Sequence, residues 1–214
     1  MEPLPKPVTK EQMLAALIQK QGKEVVEKLQ CSTVAICGLG GLGSNIAVSL
    51  ARAGVGKLIL VDFDCVDITN LQRQQYKASQ VGMPKALALV DNLREIAPYT
   101  ELEAHSLRIT EDNAAGLVSA ADAVCEAFDK AEAKAMLVNL VLEQFPQKYL
   151  VAASGMAGFD CLNGIRTRSI TKRFFLCGDG RTDVEETPWL VAPRVMACAA
   201  HQAQTVIRLL CGME

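Results

Sequence analysis

The chain has 214 residues and a formal net charge of −2; half of its residues are hydrophobic and 21% are charged. This composition is typical of a globular protein, and the absence of a basic stretch gives no support to nucleic-acid binding. No apolar run reaches the roughly 18 residues that a membrane span needs, and we expect no signal peptide at the N-terminus. The eight cysteines contain no Cys-x-x-Cys pair and are expected to be free thiols, so we expect a cytoplasmic protein.

Strands and helices are predicted to alternate along most of the chain. A helical pattern over 9–29 comes first, with Thr9 as its cap and Gly22 as a possible break. Strands are predicted at 32–37, 57–62, 101–107, 121–127 and 148–153, and helices near 45–51, 84–95, 111–119 and 130–144. The alternation predicts a Rossmann-like α/β fold with a doubly wound, mainly parallel sheet.

After Gly155 the pattern changes. Residues 164–169 and 172–177 alternate in character and lie close together, which predicts an antiparallel C-terminal extension. A polar loop over 178–192 and a closing helix over 193–210 follow. The extension carries four basic residues, which fit either an exposed edge strand or a docking surface for an acidic partner; they are Arg166, Arg168, Lys172 and Arg173.

The most informative motif lies between the first two strands, where Gly38-Leu-Gly-Gly-Leu-Gly-Ser44 follows a strand and begins a helix. Asp62 stands 19 residues after Gly43, at the end of the next strand. Glycines let the backbone approach phosphates, a helix N-terminus offers free N–H groups, and a strand-end acid suits ribose hydroxyls. The motif predicts a nucleotide site and leaves open whether the nucleotide is NAD or ATP.

Further polar side chains are predicted at the same edge of the sheet. The connection after Asp62 carries Asp64, Asn70, Arg73 and Gln74. An arginine there can contact a phosphate in a bidentate manner. Lys85 is predicted in the first turn of a helix, where an ammonium opposes the helix dipole unless an anion is present. Taken singly, each of these side chains also fits a solvated surface position.

Asp129 follows the fourth strand and completes the predicted cluster. A carboxylate at this position can hold Mg²⁺ together with phosphate oxygens. The same side chain is also suited to cap the helix that follows.

Together these motifs resemble the ThiF/MoeB/HesA family, the bacterial branch of the ubiquitin-activating-enzyme-like adenylyltransferases, and in particular its short ThiF-like sulfur-carrier adenylyltransferases. The resemblance is carried by Gly38 to Ser44, Asp62-x-Asp64, Asn70-x-x-Arg73-Gln74, Pro84-Lys85, Asp129, Cys177-Gly-Asp-Gly and Ala192-Pro-Arg-Val. It implies one ThiF-type adenylation domain over 1–214. This domain comprises an N-terminal helical segment (1–30), a nucleotide-binding core (31–155) and the extension with the closing helix (156–214).

The resemblance also implies a reaction. In it, ATP adenylates the C-terminal glycine carboxylate of a small β-grasp sulfur-carrier protein that ends in Gly-Gly, in thiamine biosynthesis. The implied catalytic residues are Arg73, Lys85 and Asp129, with Mg²⁺ held by Asp129. The implied nucleotide-binding residues are Gly38, Gly40, Gly41, Gly43, Asp62, Asp64, Asn70 and Gln74. A homodimer is expected on the same grounds.

The chain departs from the family pattern at three points. Family members with a structural zinc hold it with two Cys-x-x-Cys pairs, and their absence here predicts no structural zinc. The first arginine is Arg52, so no earlier arginine is available to reach into a partner's site. Cys177 borders the loop before the last helix and is the best candidate for a covalent link to the carrier, although it also fits a buried strand cysteine.

Three other functions are compatible with parts of the pattern. The enzyme could adenylate a carboxylate on a modified tRNA base and close a ring. An NAD-dependent oxidoreductase would use the glycine loop and Asp62 but leaves Arg73, Lys85 and Asp129 without a role. A nucleotide-sensing interaction module without turnover would account for the missing arginine.

Overall fold

One sheet of seven strands organises residues 7–182 and 186–213, which are the residues described by the computed structural model. The strands are β1 (Thr33–Cys37), β2 (Lys57–Val61), β3 (Glu101–His105), β4 (Ala123–Glu126), β5 (Tyr149–Ala153), β6 (Arg166–Ser169) and β7 (Phe174–Gly178). Their order in the sheet is β3-β2-β1-β4-β5-β7-β6. Every pairing is parallel except that of β6 with β7.

Helices cover both faces of the sheet. They are α1 (Lys10–Gln21), α2 (Lys23–Gln30), α3 (Gly41–Ala53), α4 (Lys85–Ile96), α5 (Glu111–Val118), α6 (Ala131–Gln144) and α7 (Ala192–Leu210). The buried side chains of α3, α4 and α7 form the larger core on one face, and those of α5 and α6 form a second core on the other. No helix in the described part of the chain is both long and apolar enough to cross a membrane.

The structure confirms the predicted doubly wound sheet and refines its details. The predicted helix over 9–29 is two helices in the structure. Gly22 takes a φ of +86°, which ends α1 before α2 begins. Thr9 caps α1 as expected. The helix predicted over 84–95 begins one residue later, at Lys85, because Pro84 has an extended ψ of 129° and is the N-cap of α4. In the extension, β7 joins the main sheet in parallel with β5, so β6 is the one antiparallel strand at that edge. Part of the predicted loop over 178–192, residues 183–185, lies outside the described residues.

The order of the strands places a crevice at the centre of the sheet. The chain passes from β1 to β2 on one side, while β4 lies on the other side of β1, with Cys37 and Glu126 paired at their carboxyl ends. A reversal of this kind separates the loops that follow the two strands and opens a ligand crevice between them. The loops after β1, β2 and β4 therefore meet at one edge, as the sequence predicts.

The first turn of α7 fastens the loops at this edge. Arg194 is only 2% exposed, and its guanidinium donates to the carbonyl oxygens of Ala157 at 3.0 Å and Asp160 at 2.6 Å and pairs with the carboxylate of Asp179. Asp160 and Asp179 lie on the loops after β5 and β7 respectively, so one buried cation joins these two loops. The next residue, Val195, packs against the start of α3, since a Cβ at Gly41 would lie 2.8 Å from it.

Candidate functional site

The glycine-rich loop connects β1 to α3 and closes tightly on itself. Gly38 has a φ of +91°, and a Cβ there would lie 2.7 Å from the carbonyl oxygen of Ala127 and 3.1 Å from the ring of Phe128. A Cβ at Gly43 would overlap the carbonyl oxygen of Gly38. Both positions therefore require glycine, and the start of α3 leaves free N–H groups at the crevice.

Asp62 follows β2 and holds the glycine loop in place. Its Oδ2 accepts from the N–H of Leu39 at 2.6 Å, and its Oδ1 accepts from the N–H of Asp64 at 2.8 Å. The Tyr76 hydroxyl donates to the carbonyl oxygen of Leu39 at 2.7 Å. Burial raises the pKa of Asp62, and the two backbone hydrogen bonds oppose this shift. Each oxygen of Asp62 keeps a further lone pair for a ligand.

Lys85 and Asp64 form an ion pair beside the loop. The Lys85 Nζ lies 2.9 Å from Asp64 Oδ2, and the Lys85 N–H donates to the Asp64 carbonyl oxygen at 2.9 Å. The Lys85 side chain is 7% exposed and that of Asp64 is 49% exposed. The unfavourable position of an ammonium in the first turn of α4 is thus offset by a carboxylate of the protein itself, a partner that the spacing of the two residues does not indicate.

A short helical turn orders the segment that carries Asn70, Arg73 and Gln74. The Asn70 Oδ1 accepts from the N–H of Asp67 at 3.1 Å, and the Asn70 carbonyl oxygen accepts from the N–H groups of Arg73 and Gln74 at 3.1 and 3.0 Å. The turn therefore directs Arg73 and Gln74 toward the glycine loop, where a Cβ at Gly41 would lie 3.6 Å from the Arg73 side chain.

Arg73 and Asp129 lie on different loops but within electrostatic range of each other. The Arg73 guanidinium is half-buried and donates to the carbonyl oxygen of Thr69 at 3.0 Å. Burial lowers the pKa of Arg73, and the negative charge of Asp129 opposes the shift. Asp129 is exposed and precedes α6, whose N-cap is Lys130, so the alternative interpretation of Asp129 as the helix cap is wrong.

Gln74 carries an unsatisfied polar atom beside the glycine loop. The residue is 8% exposed, and its Oε1 has no hydrogen-bond partner among the described residues. Its Nε2 lies 3.8 Å from the position that a Cβ at Gly40 would occupy. A buried acceptor without a donor is costly, so this oxygen fits a ligand that supplies a hydroxyl or an amine.

A network of amides that the sequence motifs do not indicate lies behind the loop. The Asn45 Nδ2 donates to the carbonyl oxygens of Gly41 at 2.6 Å and Arg73 at 3.1 Å, and the Asn45 Oδ1 accepts from Gln75 Nε2 at 2.7 Å. The Ser44 Oγ accepts from the Gln75 N–H at 3.2 Å. These contacts join the start of α3 to the segment that carries Arg73. Polar residues in the first turn of an otherwise apolar helix were the available signal.

The described geometry gives little support to a catalytic cysteine or to a metal ion held by protein side chains alone. Cys177 is fully buried in β7, where its Sγ lies 3.5 Å from Thr167 Oγ1, and burial raises the pKa of its thiol. A reactive thiolate is disfavoured in such surroundings. Within residues 7–182 and 186–213, no group of three or more histidine, cysteine or acidic side chains is arranged to hold a metal ion by itself.

The chain belongs to the ThiF family, since the model of that family matches residues 10–214. It is 47% identical over 92 residues to a tRNA threonylcarbamoyladenosine dehydratase of Bacillus subtilis, a match covering 42% of this chain and 36% of that protein. It is 34% identical over 136 residues to a sulfur carrier protein adenylyltransferase of Thermus thermophilus, a match covering 63% and 45%. The chain spans less than half the length of the curated relatives that it matches.

The fold also matches solved structures along almost the whole chain. The structure of the Escherichia coli tRNA N6-threonylcarbamoyladenosine dehydratase TcdA in complex with ATP superposes with a TM-score of 0.85 and 19% identity, covering 97% of this chain and 98% of that one. At this level of identity, the likeness establishes the fold. The resemblance seen in the motifs is thereby confirmed at the level of family and architecture.

Proposed function

We propose that this protein is an ATP-dependent adenylyltransferase that activates a carboxylate. The observation that carries the proposal is the unsatisfied Oε1 of Gln74 beside a glycine loop against which Arg73 packs. Asp129 lies within electrostatic range of Arg73, and Lys85 lies within electrostatic range of Asp62. An ATP molecule fits this arrangement, because it brings phosphates for the cations and a donor for Gln74. The oxidoreductase alternative has no role for those charged residues, and a thermal-shift comparison of ATP with NAD tests it.

In the proposed reaction, a carboxylate oxygen of the acceptor attacks the α-phosphorus of ATP. The bond from that phosphorus to the bridging oxygen breaks, pyrophosphate leaves, and the product is an acyl-adenylate. The carboxylate is ionised at neutral pH, so the reaction requires no general base. Arg73 and Lys85 neutralise phosphate charge, and the glycine loop with Asp62 positions the nucleotide.

Asp129 is the residue proposed to hold Mg²⁺. A carboxylate with phosphate oxygens is a donor set that this ion prefers, and the exposure of Asp129 leaves room for it. The bound ion would stabilise charge on the phosphates.

The acceptor that we propose is the C-terminal glycine carboxylate of a small β-grasp sulfur-carrier protein, in thiamine biosynthesis. Two features support this acceptor: the resemblance to short ThiF-like proteins and the match to the Thermus adenylyltransferase. The net charge of −2 also gives no support to a nucleic-acid acceptor. The exposed strand β6, with Arg166 and Arg168, offers a basic surface to an acidic carrier. We propose further that residues 1–214 act as one adenylation domain and that the enzyme is a cytoplasmic homodimer.

Carrier-dependent exchange of labelled pyrophosphate into ATP tests the proposal directly. We expect exchange with the cognate carrier and its loss in Lys85→Ala and Asp129→Ala. Exchange that is absent with every Gly-Gly-ending β-grasp carrier would contradict the assignment of the acceptor.

A second candidate acceptor is a carboxylate on a modified tRNA base, followed by ring closure. The observation that favours it is the near-complete superposition on TcdA, together with the match to the Bacillus dehydratase. Mobility-shift titration with tRNA separates the two acceptors, since a carrier-specific enzyme should not bind tRNA at physiological salt.

A further inference from the structure

Glu126 is a fully buried carboxylate that the proposed reaction does not use. It ends β4, three residues before Asp129. Its Oε1 accepts from Lys134 Nζ at 3.0 Å and from the N–H of Phe128 at 2.7 Å, and its Oε2 lies 3.1 Å from the same Nζ. Lys134 belongs to the start of α6, so this ion pair closes the turn between β4 and α6 from both sides.

The pair also connects this turn to its neighbours. Lys134 Nζ donates to the carbonyl oxygen of Ala153, the last residue of β5, at 3.2 Å. The Ala127 carbonyl and the Phe128 ring, which follow Glu126, form the wall against which Gly38 packs. The turn that Glu126 and Lys134 stabilise is therefore the one that contacts the glycine loop and carries Asp129.

Stability alone is a weak explanation for such a pair. A buried ion pair loses much of its Coulomb attraction to desolvation, and well-packed apolar side chains of similar size often serve stability equally well. Glu126 satisfies its carboxylate with the N–H of Phe128 as well as with Lys134, which fixes a backbone group next to Asp129. A role in positioning accounts for this geometry.

We propose that Glu126 and Lys134 are positioning residues that hold Asp129 at a set distance from the glycine loop and thereby determine how tightly the site binds Mg²⁺ with ATP. This inference rests on the proposed function for its link to the metal. The positioning itself concerns the backbone of 127–130 and can be measured without any nucleotide.

Three variants and one control test the inference. Glu126→Leu with Lys134→Met replaces the ion pair with apolar side chains, and Lys134→Arg retains the charge. Glu126→Gln, which keeps an acceptor for Phe128, serves if the double variant does not fold. The control is Lys148→Met. Lys148 Nζ also donates to two backbone carbonyls, those of Ser119 and Ala121, but it lies at the amino ends of the strands, away from the glycine loop.

Two measurements are made on each protein. The first is amide hydrogen exchange of the 127–130 segment in the free protein, followed by mass spectrometry. The second is the Mg²⁺ concentration that gives half-maximal ATP binding in calorimetry. In the double variant we expect faster exchange of this segment and a requirement for about tenfold more Mg²⁺, the usual lower bound for loss of support behind a metal ligand. Glu126→Gln should shift both in the same direction, and Lys134→Arg and Lys148→Met should match the wild type.

Unchanged exchange and unchanged Mg²⁺ dependence in a folded variant without the ion pair would overturn the inference. A loss of thermal stability without either change would have the same meaning. If the wild type binds no ATP with Mg²⁺, the proposed function fails, and hydrogen exchange in the free protein still decides whether Glu126 and Lys134 position the turn.

Discussion

The Lys85 Nζ, at the start of α4, lies 2.9 Å from the Asp64 Oδ2, which follows the end of β2 beside the glycine loop. The lysine side chain is almost fully buried while the carboxylate is half exposed. In the free protein the ammonium is thus held in place by a neighbouring acid. Because one ammonium has three donors, a phosphate can share Lys85 with Asp64.

Lys85→Met tests this sharing. We expect ATP binding to weaken by about ten- to a hundredfold, the loss associated with removing a hydrogen bond between charged groups. Binding of AMP, which lacks the outer phosphates, should weaken less. Calorimetry with both nucleotides measures the difference, and Lys77→Met, which removes the lysine of an exposed ion pair with Glu95, is the matched control. Equal losses for ATP and AMP would contradict a contact with the outer phosphates.

Gly43→Ala tests the close approach within the glycine loop. The new Cβ would overlap the carbonyl oxygen of Gly38, so we expect a loss of about 1–3 kcal/mol in the free energy of unfolding together with weaker ATP binding. Gly116→Ala in α5 is the control, because, apart from its chain neighbours and the backbone of its own helix, no atom of the described residues lies within 4 Å of its Cβ position. That change should stabilise by up to about 1 kcal/mol through helix propensity. Denaturant unfolding measures both, and a neutral Gly43→Ala would refute the constraint.

Gln74→Leu tests whether the unsatisfied Oε1 faces the nucleotide. The change removes a buried acceptor that has no donor, so we expect the free energy of unfolding to stay level or rise while ATP affinity falls. Gln80→Leu provides the contrast, because the Gln80 amide is buried and bonded to Ala88, Asn92 and Lys77. Its loss should cost about 1–3 kcal/mol without a direct effect on ATP. Unaltered ATP affinity in Gln74→Leu would show that the oxygen faces elsewhere.

The cysteines should divide into two groups by reactivity. Cys177 is buried with a raised pKa, and burial raises the pKa of Cys198 to about 12, so neither thiol should react with iodoacetamide at pH 8 in the native protein. The exposed thiols of Cys31, Cys65 and Cys161 should be labelled. Peptide mass spectrometry identifies the cysteines that carry the label. Cys177→Ala should also retain adenylation, and loss of that activity in a folded variant would give the thiol a catalytic role.

Much of the architecture follows from local patterns in the sequence. Short apolar runs that alternate with helical periodicity predict the order of strands, and this order brings Asp62 and the glycine loop to one edge. Gly22 signals the break between α1 and α2 because a glycine readily takes a positive φ.

Contacts between distant residues escape such patterns. Asp64 and Lys85, 21 residues apart, were each assigned to a nucleotide, and nothing in their spacing indicates that they pair with each other. Burial of Glu126 and Arg194 depends on which elements pack above them, which a helical or strand period does not encode. The parallel pairing of β7 with β5 is likewise set by packing, since the sequence pattern indicates only the antiparallel pairing of β7 with β6.

The contact between Gly41 and Val195 has a consequence for the order in which the protein matures. The glycine loop acquires this packing partner from α7, which follows it much later in the chain. During translation, the apolar side of α3 must wait for about 150 residues to emerge before α7 can cover it. At synthesis rates of about 5–20 residues per second, this interval lasts roughly eight to thirty seconds, so the glycine loop is synthesised well before its packing is complete.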